Sequence, residues 1–161
     1  MRFSLPIRMP VTVLTVLAGL LAGSGPPALA ESPPINYMLQ CRGCHLADGS
    51  GSPLGVPALA GFVGKFLLVP GGREYLVRVP GSAQAPISDR ELAELLNWIV
   101  RRFGPEEVAA NFIAFRAGEV ARYRNVPLTD VAVIRDKLVR QIESAKIGAR
   151  SESQSAGDPA R

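Results

Sequence analysis

The chain has 161 residues, about the length of one domain, with 47% hydrophobic and 20% charged residues, a balance that excludes disorder and fibrous repeats. Two cysteines exclude a disulfide-dense scaffold, and a net charge of +4 is too mild to point to nucleic acid. No apolar run reaches the ~18 to 20 residues that span a bilayer.

Residues 1–30 read as a secretory signal peptide. Arg2 and Arg8 give a positive start, Val11 to Gly23 is an apolar stretch too short to span, and Ala28-Leu29-Ala30 is an A-x-A cleavage site. The mature chain is then expected to begin at Glu31, to be periplasmic or otherwise exported, and to have no membrane span. Met38 is its one methionine. Three parts follow: a compact domain over 31–104, a helical extension over 105–147, and a tail over 148–161, expected to be disordered for want of hydrophobic content.

Pro33-Pro34 suits a helix start, and Ile35, Met38 and Leu39 then share one helical face running into Cys41. The segment 48–55 (DGSGSPLG) is too rich in glycine and proline for a helix or strand. Short helices are predicted over Phe62–Val69 and Arg73–Val79, each stopped by Pro-Gly. The clearest element is 89–103. Ser88 and Glu91 form a capping box, Leu92, Leu95, Leu96, Ile99 and Phe103 make the stripe, and Gly104-Pro105 ends it. In the extension, one helix is predicted over Gly118–Arg124. Another follows an N-cap at Thr129, with Val131, Ile134, Leu138 and Ile142 on one face. No strand signal emerges, so the fold class is all-α with long loops.

The chemistry is concentrated in Cys41-Arg42-Gly43-Cys44-His45. Two thiols spaced by two residues on a helical turn can add to the two vinyl groups of haem, and the adjacent imidazole can reach the iron. His45 is the only histidine. Other uses of the motif fit less well. A thioredoxin-like pair needs a βαβ context. Zinc needs four ligands, where three Cys and His exist. A disulfide between Cys41 and Cys44 would close a small strained loop, leaving a non-haem interaction protein.

On these residues, with Asp48-Gly49-Ser50-Gly51 and Pro57-Ala58-Leu59-Ala60-Gly61, the stretch 35–103 resembles the class I mono-haem c-type cytochromes of the bacterial periplasmic type. The resemblance implies a small helical domain around one covalently bound haem c. Cys41 and Cys44 would anchor it, and His45 would bind the iron. Pro57, twelve residues after His45, would direct its carbonyl to the imidazole. The extension lies outside the family pattern.

The family's sixth iron ligand, a methionine in the loop before the last helix, has no counterpart. The segment 77–87 (VRVPGSAQAPI) holds no Met, His, Lys or Tyr. Met38, beside the attachment site, is placed for core packing rather than for the iron's far side. Lys65, Tyr75 and Gln84 are weakly supported alternatives.

Other roles follow from charge and apolarity. Arg73 and Arg78 are expected on the surface, with haem propionates as the second reading. Leu54, Leu59, Leu67, Leu68, Leu92 and Leu96 are candidate walls for the ring. The arginines and Lys137 of the extension suggest a docking surface for an acidic redox partner. The functional expectation is an exported carrier moving single electrons between a periplasmic dehydrogenase and an oxidase or respiratory chain, free or as a dehydrogenase subunit. The alternative is a five-coordinate haem protein binding a small ligand, as a sensor or weak peroxidase.

Overall fold

The computed structural model describes residues 30–53 and 55–156, with side chains through Lys146. The expected signal peptide, except Ala30, and residues 157–161 lie outside the described residues. The described residues from Glu31 onward form one compact unit. Among the described residues there is no strand, only an isolated bridge between Ser52 and Val56, and the architecture is all-α. No helix of the described residues is long and apolar enough to cross a membrane.

Helix α1 (Pro33–Gln40) leads into a short helix α2 (Arg42–His45). A long loop then reaches a 3-10 helix (Val63–Leu68), followed by α3 (Gly72–Arg78), α4 (Pro80–Ala83) and α5 (Asp89–Phe103). The segment beyond Gly104 forms α6 (Glu106–Asn111), α7 (Ala117–Arg124) and α8 (Val131–Ala156). Helix α5 starts at the expected capping box: the Glu91 amide donates to the Ser88 hydroxyl, and the Ser88 amide donates to the Glu91 carboxylate.

The packing of α1 differs from its sequence pattern. Ile35, Met38 and Leu39 are exposed, Met38 at 49%, while Asn36 and Tyr37 are buried. The reason is the aromatic cluster where α1 meets α5. Tyr37 lies 5.3 Å from Trp98 and 5.2 Å from Phe103 between ring centroids, and it donates its hydroxyl proton to the Leu46 carbonyl at 2.6 Å. A large ring with a satisfied polar tip outcompetes three aliphatic side chains for that face. Met38 therefore has no core-packing role.

Residues 105–146 pack against the domain. Phe115, Val120, Leu128, Leu138 and Ile142 are buried in the same cluster as Leu92, Leu95 and Val100. Asn97 of α5 makes a reciprocal pair with Phe115, accepting from its amide at 2.7 Å and donating to its carbonyl at 3.0 Å. Helix α8 continues to Ala156, past the expected start of the tail at 148. The stretch 149–156 holds residues that tolerate a helix, and the first proline lies beyond it at Pro159.

Arg73 ties α3 to α7. It donates to both carboxylate oxygens of Glu119 at 2.8 Å, to the Ile113 carbonyl at 2.6 Å, and its guanidinium sits 4.2 Å from the Phe115 ring centroid. Arg78 donates to the Val126 carbonyl. Both arginines are engaged in packing the chain beyond Gly104 onto the domain. The hydrogen bonds from Arg73 hold the Glu119 carboxyl below its usual range. A depressed carboxyl pKa adds stability above the ordinary value near 4.5 and loses it as pH falls through the folded value. Glu119→Gln should therefore cost about 1 kcal/mol at neutral pH and little at about pH 3, measured by chemical denaturation at both.

Candidate functional site

Cys41 sits at the break between α1 and α2. The Cys44 and His45 amides both donate to its carbonyl, at 3.1 and 2.9 Å, so one tight turn groups the two sulfurs and the imidazole. Neither cysteine is in a disulfide. Burial, reinforced by Cys44, pushes the Cys41 thiol up to about 11, while Cys44 is exposed. Among the described residues no cluster of three or more His, Cys, Asp and Glu side chains could hold a metal ion alone.

After His45 the chain reverses. Leu46 adopts φ 57°, a left-handed conformation that costs a non-glycine residue energy, and Tyr37 holds its carbonyl. Asp48 then accepts from the Ser50 amide at 3.0 Å. Gly49, at φ 74°, presents a carbonyl that accepts from the amides of Leu59 and Ala60 at 2.8 and 3.0 Å. Gly51, at φ 80°, lies so close to Val56 that a Cβ would collide with the Val56 carbonyl oxygen. The Gly61 amide closes the loop onto α5 by donating to the Phe103 carbonyl at 2.7 Å.

This closure sets Pro57 beside the imidazole. His45 Nδ1 lies 3.1 Å from the Pro57 carbonyl oxygen. A carbonyl only accepts, so Nδ1 carries the proton and Nε2 keeps its lone pair. Burial lowers the His45 pKa, against the opposing effect of the Pro57 hydrogen bond. The net effect favours the neutral imidazole, the form that binds a metal.

The turn opens on a cleft of about 330 Å³ lined by Cys41, Cys44, His45 and Pro57. Its other walls come from Leu59, Val63 and Phe66, from Tyr75, Leu76 and Val79, from Ser82, Leu96 and Ile99, and from Val131 and Arg135 of α8. Of the leucines expected as walls, Leu59 and Leu96 line it. Leu92 is in the core, Leu67 and Leu68 border a second cleft beside α6, and Leu54 lies outside the described residues. Val131 and Arg135 were missed by sequence reasoning. Their i, i+4 spacing places them on one helical face, but Val131 was read only as part of an aliphatic stripe and Arg135 only as part of a basic docking surface. Among the described residues, Arg135 is the only Lys, Arg, Asp or Glu in the lining.

No family model matches the chain. It is 34% identical over 141 residues to a cytochrome c-552 of Thermus thermophilus, covering 76% of this chain and 94% of that relative. The chain belongs to the c-type cytochromes. A second cytochrome c-552 of Thermus thermophilus is 34% identical over 116 residues, covering 61% of this chain and 88% of its own.

A c-type cytochrome carries haem c with its iron, and the cleft suits that group. Two unbonded sulfurs and a neutral, oriented imidazole stand at one edge of a mostly aliphatic and aromatic lining. The loop geometry sets a strict requirement at Gly51. Gly51→Ala should lower stability by about 2 kcal/mol or more, from the left-handed backbone and the collision together. Denaturation melts of both proteins check this, and a neutral substitution would contradict the loop's role.

Proposed function

We propose that this c-type cytochrome is an exported class I mono-haem carrier, moving single electrons between a periplasmic dehydrogenase and a downstream acceptor such as an oxidase or respiratory chain. The observation that carries the reading is one C-x-x-C-H turn, its histidine hydrogen-bonded to the Pro57 carbonyl, at the mouth of one apolar cleft. Bound haem c supplies a one-electron iron couple.

The chain's residues do the rest. Cys41 and Cys44 would hold the group through thioethers, each formed by adding S–H across a vinyl group, which needs no oxidant. His45 would offer Nε2 to the iron, with its ring fixed by the Nδ1–H donated to the Pro57 carbonyl. The apolar walls keep water from the ring and so tune its potential. Among the described lining residues Arg135 is the cation available to the haem carboxylates, in place of Arg73 and Arg78, which are engaged elsewhere. Ile35, Met38, Leu39 and Leu46 are exposed in the stretch around Cys44, which suits a small transient contact with a redox partner.

Acidic solvent extraction of the purified protein should leave one haem's mass on the chain; a pigment-free, unmodified chain would overturn the reading. Cys41→Ala and His45→Ala should be poorly folded, and a normal thermal melt would contradict that. Arg135→Leu should keep the haem attached and lower the reduction potential, because a nearby cation disfavours the oxidised iron. Redox titration of both proteins checks the direction.

A further inference from the structure

The loop before α5, where the family's sixth ligand is expected, is held in place by the segment beyond Gly104. Arg124 of α7 spends its whole guanidinium on that loop. It donates to the carbonyls of Ala83 at 3.3 Å, Ala85 at 2.7 Å and Ile87 at 2.8 Å, and to the Asp89 carboxylate at 3.0 Å. Its side chain is only 13% exposed. These bonds fix three carbonyls between Ala83 and Ile87 and the first residue of α5, and so hold the backbone of that segment in place. The segment 77–87 contributes Val79, Gly81 and Ser82 to the lining.

The other candidates for the sixth position stand elsewhere. Met38 and Gln84 are exposed and do not line the cleft. Lys65 lies with its ammonium 5.0 Å from the Phe62 ring centroid, outside the lining. Among the described lining residues there is no thioether, no amine and no second imidazole. Gln40 and Ser82 offer only neutral amide and hydroxyl oxygens, and Tyr75 is buried with its ring centroid 4.8 Å from that of Phe66, a burial that also opposes the phenolate form.

We propose that the iron's side not held by His45 receives no protein ligand and takes a small neutral diatomic molecule, the class of carbon monoxide and nitric oxide, within the cleft that Leu76, Val79, Ser82 and Val131 help to line. The inference rests on the haem reading above. The described lining is mostly apolar, and its one charged side chain, Arg135, is assigned above to the haem carboxylates, which leaves apolar surface suited to a neutral ligand. Arg124 acts as a positioning residue that keeps the wall in place.

The test uses the full holoprotein, after acid extraction has established covalent haem, so that failure of the haem reading is seen separately. The dithionite-reduced protein is titrated with carbon monoxide and followed by absorption. The expected result is a high-spin ferrous spectrum that shifts with gas and saturates. Arg124→Lys should keep the bound spectrum and speed carbon monoxide association several-fold, because lysine cannot reproduce the fork. Unchanged rates would remove Arg124 from the proposal. A low-spin spectrum indifferent to the gas would overturn it, and gas binding acquired by Tyr75→Phe would then identify Tyr75 as the ligand.

Discussion

An imidazole can hold a metal in a fixed direction only if something else holds the imidazole. Here that is the 3.1 Å contact between His45 Nδ1 and the Pro57 carbonyl, and much of the domain serves to place that oxygen. Tyr37 anchors the reversal at Leu46, Gly49 gathers two amides, Gly51 permits the close approach to Val56, and Gly61 ties the loop to the end of α5. The aromatic contacts among Tyr37, Trp98 and Phe103 link α1, which leads into the two sulfurs, to the helix on which that loop closes. The local motif and the long-range packing are thus one mechanical system.

The segment beyond Gly104 is a second layer of the same system. Three arginines turn inward to do different work. Arg73 joins α3 to α7, Arg124 fixes the loop before α5, and Arg135 enters the cleft. A guanidinium that satisfies several carbonyls and a carboxylate at once is suited to such half-buried positions, because its planar fork loses little freedom per bond formed. The basic docking surface expected from composition is correspondingly reduced, since Arg124 is engaged with the loop before α5.

The parts of this arrangement legible in the sequence are those whose physics is local. The C-x-x-C-H turn, the capping box at Ser88 and the stripe of α5 depend on residues within one or two turns of each other. The D-G-S-G loop was visible as a loop, and Pro57 as a residue twelve positions from His45. What escaped was decided at a distance. The face of α1 was assigned by aliphatic spacing, but Tyr37 won it through contacts with α5. The short helices Pro80–Ala83 and Glu106–Asn111 are too brief to show a period. The destinations of Arg73, Arg124 and Arg135 depend on carbonyls 35 or more residues away, or on the cleft itself, and no neighbouring residue announces them.

Chain order gives the cleft a history. Its floor and the anchoring turn lie within residues 40–99, whereas Val131 and Arg135 complete it from near the end. During synthesis the thiols and the imidazole therefore emerge well before the final wall. A chain cut short before α8 would keep the anchoring turn and the loop that holds it, and would lose Val131 and Arg135, leaving that side of the cleft uncovered.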